Sequence, residues 1–236
     1  MKAAELLVRC LEREGICHVF GVPGEENADL MLALADSSID FVLTRHEQGA
    51  AFMAEVYGRL TGNPAVCLGT LGPGATNLVT GLADANMDRA PVVAIIGQGS
   101  TKRLHKESHQ NMDAIAMVRP ISKWAHSSVD GETIPEVVRK AFKIAATEKP
   151  GACHIELPED IAERDAILRE LESAHWNVTR VASKLNISRN TLYRKMKRFD
   201  IQDGLGVRLL QAGAHLVQLP VAPFDLLQHR VEAANQ

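Results

Sequence analysis

The feature that most constrains this chain is the run Pro91–Gly97, PVVAIIG, which is apolar from end to end. A strand with one face in water alternates apolar and polar residues. One without a polar position must be covered on both faces, as in the middle of a parallel sheet with helices above and below. The segments around it switch between the two periods. Leu6, Leu7, Cys10 and Leu11 repeat at helical spacing, and HVFGV follows as a short strand. A helix over 28–35 leads to the strand FVLT, a helix over 47–60 to AVCLGT, and a helix over 75–87 to PVVAIIG itself. A helix over 134–147 and the strand CHIEL close the series. Strands separated by single helices form βαβ units, so the fold class is α/β with a doubly wound parallel sheet.

Composition sets what fills that sheet. Aromatics are only 4% of the 236 residues, so the core is built from Ala, Val, Leu and Ile. The formal net charge of −3 excludes a generally basic surface. Cys10, Cys17, Cys67 and Cys153 are scattered, with no C-x-x-C pair and no metal-ligand spacing, which reads as free thiols in a reducing compartment. The start, MKAAELLVRCLEREG, carries charges through its middle and reads as an amphipathic helix rather than a secretory signal. The longest apolar run, Ala90–Gly97, falls far short of the ~20 residues of a membrane span. A cytoplasmic location is expected.

The pattern changes after Asp160. Residues 163–201 lose strand periodicity and read as three short helices, and 179–199 contain seven basic residues and no acidic one. Residues 202–236 have weak periodicity and no motif, and no internal repeat occurs anywhere.

In an open α/β sheet, ligands bind at the carboxyl ends of the strands. Three strand-to-helix loops stand there: GVPGEEN (21–27), TRHEQGAA with His46 and Glu47, and GTLGPGATN (69–77), where three glycines and Pro73 let backbone approach a ligand. Singly, each has an ordinary explanation. A glycine-rich loop is usually a tight turn, and a carboxylate at a helix start serves the helix dipole.

Taken together, GVPGEENADL, LTRHEQGAAFMAEVYGRLTG, LGTLGPGATNLVTGLADANMDRAPVVAIIGQ, HQNMDAIAMVRPISKWAH and PGACHIELPEDIA resemble the N-terminal pyrimidine-binding domain of acetolactate synthase-type thiamine-diphosphate enzymes. The resemblance covers about residues 2–162 and implies the thiamine-diphosphate-binding fold for a domain at 1–162. It implies a reaction that joins two pyruvates, with decarboxylation, to give acetolactate. It also implies that Glu47 is the catalytic glutamate, hydrogen-bonding the aminopyrimidine ring and steering its tautomer so that the ring nitrogen can take a proton. Gly24, Gly72, Pro73 and Asn77 would shape the cofactor pocket with Glu47, and Gln110 would face the substrate. His46, His109 and Lys123 are lesser candidates. In this family a metal on a second domain holds the diphosphate, through a Gly-Asp-Gly start and an Asn pair. The nearest string here is Gln202-Asp203-Gly204, with no Asn pair after it. Mg2+ is therefore expected only with a diphosphate-binding partner domain, from a homodimer or a separate subunit, and the chain is expected to be incomplete as an enzyme on its own.

The stretch ERDAILRELESAHWNVTRVASKLNISRNTLYRKMKRFDI resembles the Fis-type helix-turn-helix of bacterial enhancer-binding activators. That resemblance implies a small all-α module at 163–201. Ile167, Leu168 and Leu171 would line its first helix, Asn177 or Thr179 would cap a second that buries Val181, Ala182 and Leu185, and Ser188 would cap a third with Leu192 and Met196 inward. Arg189, Asn190, Thr191, Arg194 and Lys195 would face a DNA major groove, with Lys197 and Arg198 near phosphates. Residues 202–236 stay unassigned. Two unrelated matches joined without a Pro/Gly-rich linker suggest a fusion. Its expected roles are a thiamine-diphosphate-binding protein, a DNA-binding regulator, or an inert remnant of recombination.

Overall fold

The computed structural model describes residues 2–103, 110–199 and 201. Its elements in chain order are α1 (Ala3–Arg13), β1 (His18–Gly21), α2 (Ala28–Ala35), β2 (Asp40–Leu43), α3 (Glu47–Thr61), β3 (Ala65–Gly69), α4 (Pro73–Met87) and β4 (Val92–Gln98). There follow α5 (Ala114–Val118), β5 (Trp124–Ser127), α6 (Ile134–Ala146), β6 (Ala152–Pro158), α7 (Glu159–Ser173), α8 (Val178–Lys184) and α9 (Arg189–Arg198). The chain divides into two compact units, with the boundary between Glu170 and Leu171.

The first unit is a six-stranded, all-parallel sheet in the order β2-β1-β3-β4-β6-β5. From β1 the chain steps outward to β2, then returns past β1 to β3. That reversal leaves a crevice beside the carboxyl ends of β1 and β3. Every residue of β3, β4 and β6 is buried, as their continuous apolar runs require. Two aliphatic layers cover the faces. On one, Leu7 and Leu11 of α1, Leu30 and Leu34 of α2, and Val138 and Phe142 of α6 pack on Val93, Ile95 and Ile155. On the other, Ala50 and Ala54 of α3 and Leu78 and Leu82 of α4 pack on Cys67, Ala94 and Ile96. Each fully buried Leu or Ile contributes about 1.5–3 kcal/mol. The second layer is rich in alanine and glycine because α3 and α4 run very close: a Cβ at Gly81 would lie 2.5 Å from that of Ala51.

β5 and α5 carry no clear period in the sequence. β5 is four half-buried residues at the sheet edge, paired among the described residues only with β6, so neither alternation nor an apolar run betrays it. The four cysteines are free thiols: Cys17 is exposed, Cys10 half-buried, and Cys67 and Cys153 are buried in β3 and β6. Burial pushes both of the last two up to about 12. No helix among the described residues is long and apolar enough to cross a membrane.

In the second unit, α8 and α9 pack on each other through Val181, Ala182, Leu192 and Met196, all buried, while Leu185 is half-buried. Asn177 caps α8, its Oδ1 accepting from the Arg180 amide at 3.0 Å. Ser188 caps α9, its Oγ accepting from the Thr191 amide at 3.0 Å.

Candidate functional site

Three loops meet at the crevice between β1 and β3, held by side chains that spend their polar atoms on backbone. Asn27, nearly fully buried, accepts from the Gly24 amide at 2.9 Å through Oδ1. Its Nδ2 donates to the carbonyls of Val22 (3.2 Å) and Gly69 (3.3 Å), which ties the loop after β1 to the end of β3. Thr44, at the end of β2, donates through Oγ1 to the carbonyls of Gly21 and His46 and so fixes where α3 begins. His46 is exposed and is the N-cap of α3, its Nδ1 accepting from the Gln48 amide at 3.2 Å. Glu47 is the first helical residue.

The Glu47 carboxylate is half-buried and lies over the glycine-rich loop. Asn77 Nδ2, on the second turn of α4, donates to its Oε2 at 2.9 Å. Its Cγ and Oε1 lie where Cβ atoms at Gly69 and Gly74 would come to 3.5 and 3.3 Å. No ion pair reaches Glu47 among the described residues. Gly72 has φ +56°, and a Cβ there would sit 2.7 Å from both the Cβ and the carbonyl oxygen of Gln110. Pro73 opens α4 and is exposed, and Gly24 lies so close to Thr70 that a Cβ would meet the threonine methyl at 2.3 Å. Gly24, Glu47, Gly72, Pro73, Asn77 and Gln110 thus belong to one cluster of loops.

Lys123 does not join them. Its Nζ donates to the carbonyls of Ile144 and, at 2.7 Å, Thr147, satisfying the orphan carbonyls that end α6. His109, Gln202, Asp203 and Gly204 lie outside the described residues. Asn27 and Thr44 carry no mark of this role in the sequence. Each is a small polar residue beside a strand end, and nothing in local pattern separates such a tie from a solvated turn residue.

The described residues contain one carboxylate group within reach of a single ion: Glu55, Asp84 and Asp88. Arg59 already pairs with Glu55 and, at 2.7 Å, with Asp88. Glu55 lies about two turns along α3 from Glu47, and Asp84 and Asp88 come from the end of α4.

On α9, Arg189, Asn190, Arg194 and Lys197 are exposed, and so is Tyr193 at 55%. Thr191 and Lys195 are half-buried, and the Thr191 hydroxyl lies 2.8 Å from that of Ser188. The Arg198 side chain is outside the described residues.

Residues 1–117 match the family described as thiamine pyrophosphate enzyme, N-terminal TPP binding domain. Residues 160–199 match that described as bacterial regulatory protein, Fis family. The chain is 45% identical over 163 residues to a probable acetolactate synthase large subunit of Methanocaldococcus jannaschii, covering 69% of this chain and 28% of the relative. It is 44% identical over 160 residues to the acetolactate synthase of Bacillus subtilis, covering 68% and 28%. With a probable acetolactate synthase large subunit of Methanococcus aeolicus the identity is 38% over 226 residues, covering 93% and 38%. The chain thus spans well under half the length of these relatives. What the chain is similar to is therefore, over residues 1–117, the N-terminal TPP binding domain of thiamine pyrophosphate enzymes and, over 160–199, the Fis family of bacterial regulatory proteins.

Proposed function

We propose that the first unit supplies the aminopyrimidine half of a thiamine-diphosphate site, with Glu47 as its proton-handling carboxylate. The observation that carries this is the Glu47 geometry. One oxygen is oriented by Asn77, no ion pair reaches the group among the described residues, and the glycines at 69 and 74 let loop backbone lie close against it. A flat, nitrogen-bearing ring fits such a cradle, because backbone can lie against its faces while the carboxylate meets its edge.

When bound, thiamine diphosphate supplies an acidic carbon whose conjugate base attacks a keto group. The chain's own share is narrower. Glu47 would meet the edge of the ring through a carboxylate oxygen and pass a proton there, and Asn77 orients that carboxylate. Gly24, Gly72 and Pro73 shape the wall, and Gln110 stands on the substrate side.

The diphosphate and Mg2+ are assigned to a partner domain, from a second copy or a separate subunit. The outer face of α3 suits such a partner. Met53, Val56 and Leu60 are exposed, and with Phe20, Gly49, Phe52 and Tyr57 they line an apolar groove of about 490 Å³ on the helix that Glu47 begins. Acetolactate synthesis, the activity named for the relatives, is proposed for this chain only in such an assembly.

Isothermal titration with thiamine diphosphate and Mg2+ tests the reading, with Glu47→Gln as control. Saturable binding that the amide weakens at least tenfold is expected, because the amide loses the transferable proton while keeping the packing. Equal binding by both proteins overturns it.

The exposed basic face of α9 over a buried Leu192–Met196 seam favours a second reading, a DNA-binding module. On that reading, binding to duplex DNA weakens steeply with salt.

A further inference from the structure

We infer that Gln98 and Glu156, outside the Glu47 cluster, are positioning residues that hold the Gln110 loop against the start of α4. This rests on the cofactor reading only for its consequence, not for its geometry. Gln98 ends β4 and Glu156 lies on β6 in register with Ile96, and their side chains are almost completely buried. A buried carboxylate and a buried amide are costly unless every polar atom is bonded, and here the bonds run in one direction. Ser127 Oγ, on β5, donates to Glu156 Oε1 at 2.7 Å, and Gln98 Nε2 donates to Glu156 Oε2 at 3.1 Å. The same Nε2 donates to the Met112 carbonyl at 3.2 Å, while Gln98 Oε1 accepts from the Gly99 amide at 2.9 Å.

Met112 is two residues from Gln110, whose backbone is left-handed at φ +51°. Gln110 Cβ and its carbonyl sit where no side chain at Gly72 could fit. Gly72 opens α4, the helix that carries Asn77 to Glu47. Thus an anchored carbonyl at Met112 fixes the backbone of a strained residue, and that residue fixes the approach to the cradle. Without the anchor, nothing else described donates to the Met112 carbonyl except the Ala114 amide of its own turn.

Hydrogen exchange on the full chain tests this, comparing Gln98→Leu, Glu156→Leu and Glu156→Gln with the parent. The amide of Glu156→Gln can still accept from Gln98 while donating to a reoriented Ser127 hydroxyl, so it is the conservative rescue. Gln98→Leu and Glu156→Leu should speed exchange at the Ala114 and Ala116 amides on the order of tenfold, the loss of one buried hydrogen bond, and leave Val93 and Ile95 of β4 unchanged. Glu156→Gln should behave as the parent. Unchanged exchange at Ala114 and Ala116, or an equal rise throughout the sheet, overturns the inference. Titration of the same proteins with thiamine diphosphate and Mg2+ separates the two ideas. If the parent does not bind, the cofactor reading fails while the exchange comparison stands.

Discussion

His154 lies in the middle of β6, fully buried, and neither ring nitrogen has a hydrogen-bond partner among the described residues. Burial alone lowers it from 6.5 to about 4. The unfolded chain therefore takes up a proton below pH 6.5 that the folded chain refuses until about pH 4. Stability is lost as pH falls through that window, by roughly 3 kcal/mol in all. Glu156 works the other way: burial raises it, so it favours the fold at low pH. Denaturant midpoints at pH 7.5 and 5 should converge markedly in His154→Leu compared with the parent. An unchanged dependence would mean the imidazole finds a partner. At this scale the sequence was half readable. Glu47, Gly72 and Asn77 stand out because a motif surrounds them. Asn27, Gln98 and His154 do not, because what distinguishes them is which atoms they meet across the sheet.

The strongest elements were legible because their patterns are strong. A buried parallel strand such as β4 announces itself by an unbroken apolar run, and α1 by its helical spacing. β5 was invisible, since an edge strand of four half-buried residues obeys neither rule. α4 shows how an element depends on one residue at its threshold. Gly72 combines φ +56° with contact to Gln110 at 2.7 Å from its would-be Cβ, so Gly72→Ala is strained in backbone and in space at once. Its expected cost is about 1–3 kcal/mol, with a matching loss of thiamine-diphosphate binding. A melting curve and a titration on the same preparation check both. A parent-like melting temperature would show that the Gln110 loop simply moves aside.

For the molecule as a whole, sequence alone could show that two unlike patterns succeed one another after Asp160, and the structure divides the chain at residue 170. The partner proposed for the first unit was not legible, since a partner's groups leave no periodicity in this chain. The sheet does leave one accessible report on its own integrity. Cys67 and Cys153 belong to two buried strands that are both hydrogen-bonded to β4, and their thiols resist ionisation, whereas Cys17 is open to solvent. A neutral alkylating reagent at pH 8 should modify Cys17 rapidly and Cys10 more slowly. The two strand thiols should react only in molecules whose sheet has come apart. Their labelling rate, divided by that of the unfolded chain, is then an opening constant for the sheet. The native chain thus carries a built-in stability gauge that mass spectrometry can read without ligand, antibody or activity assay.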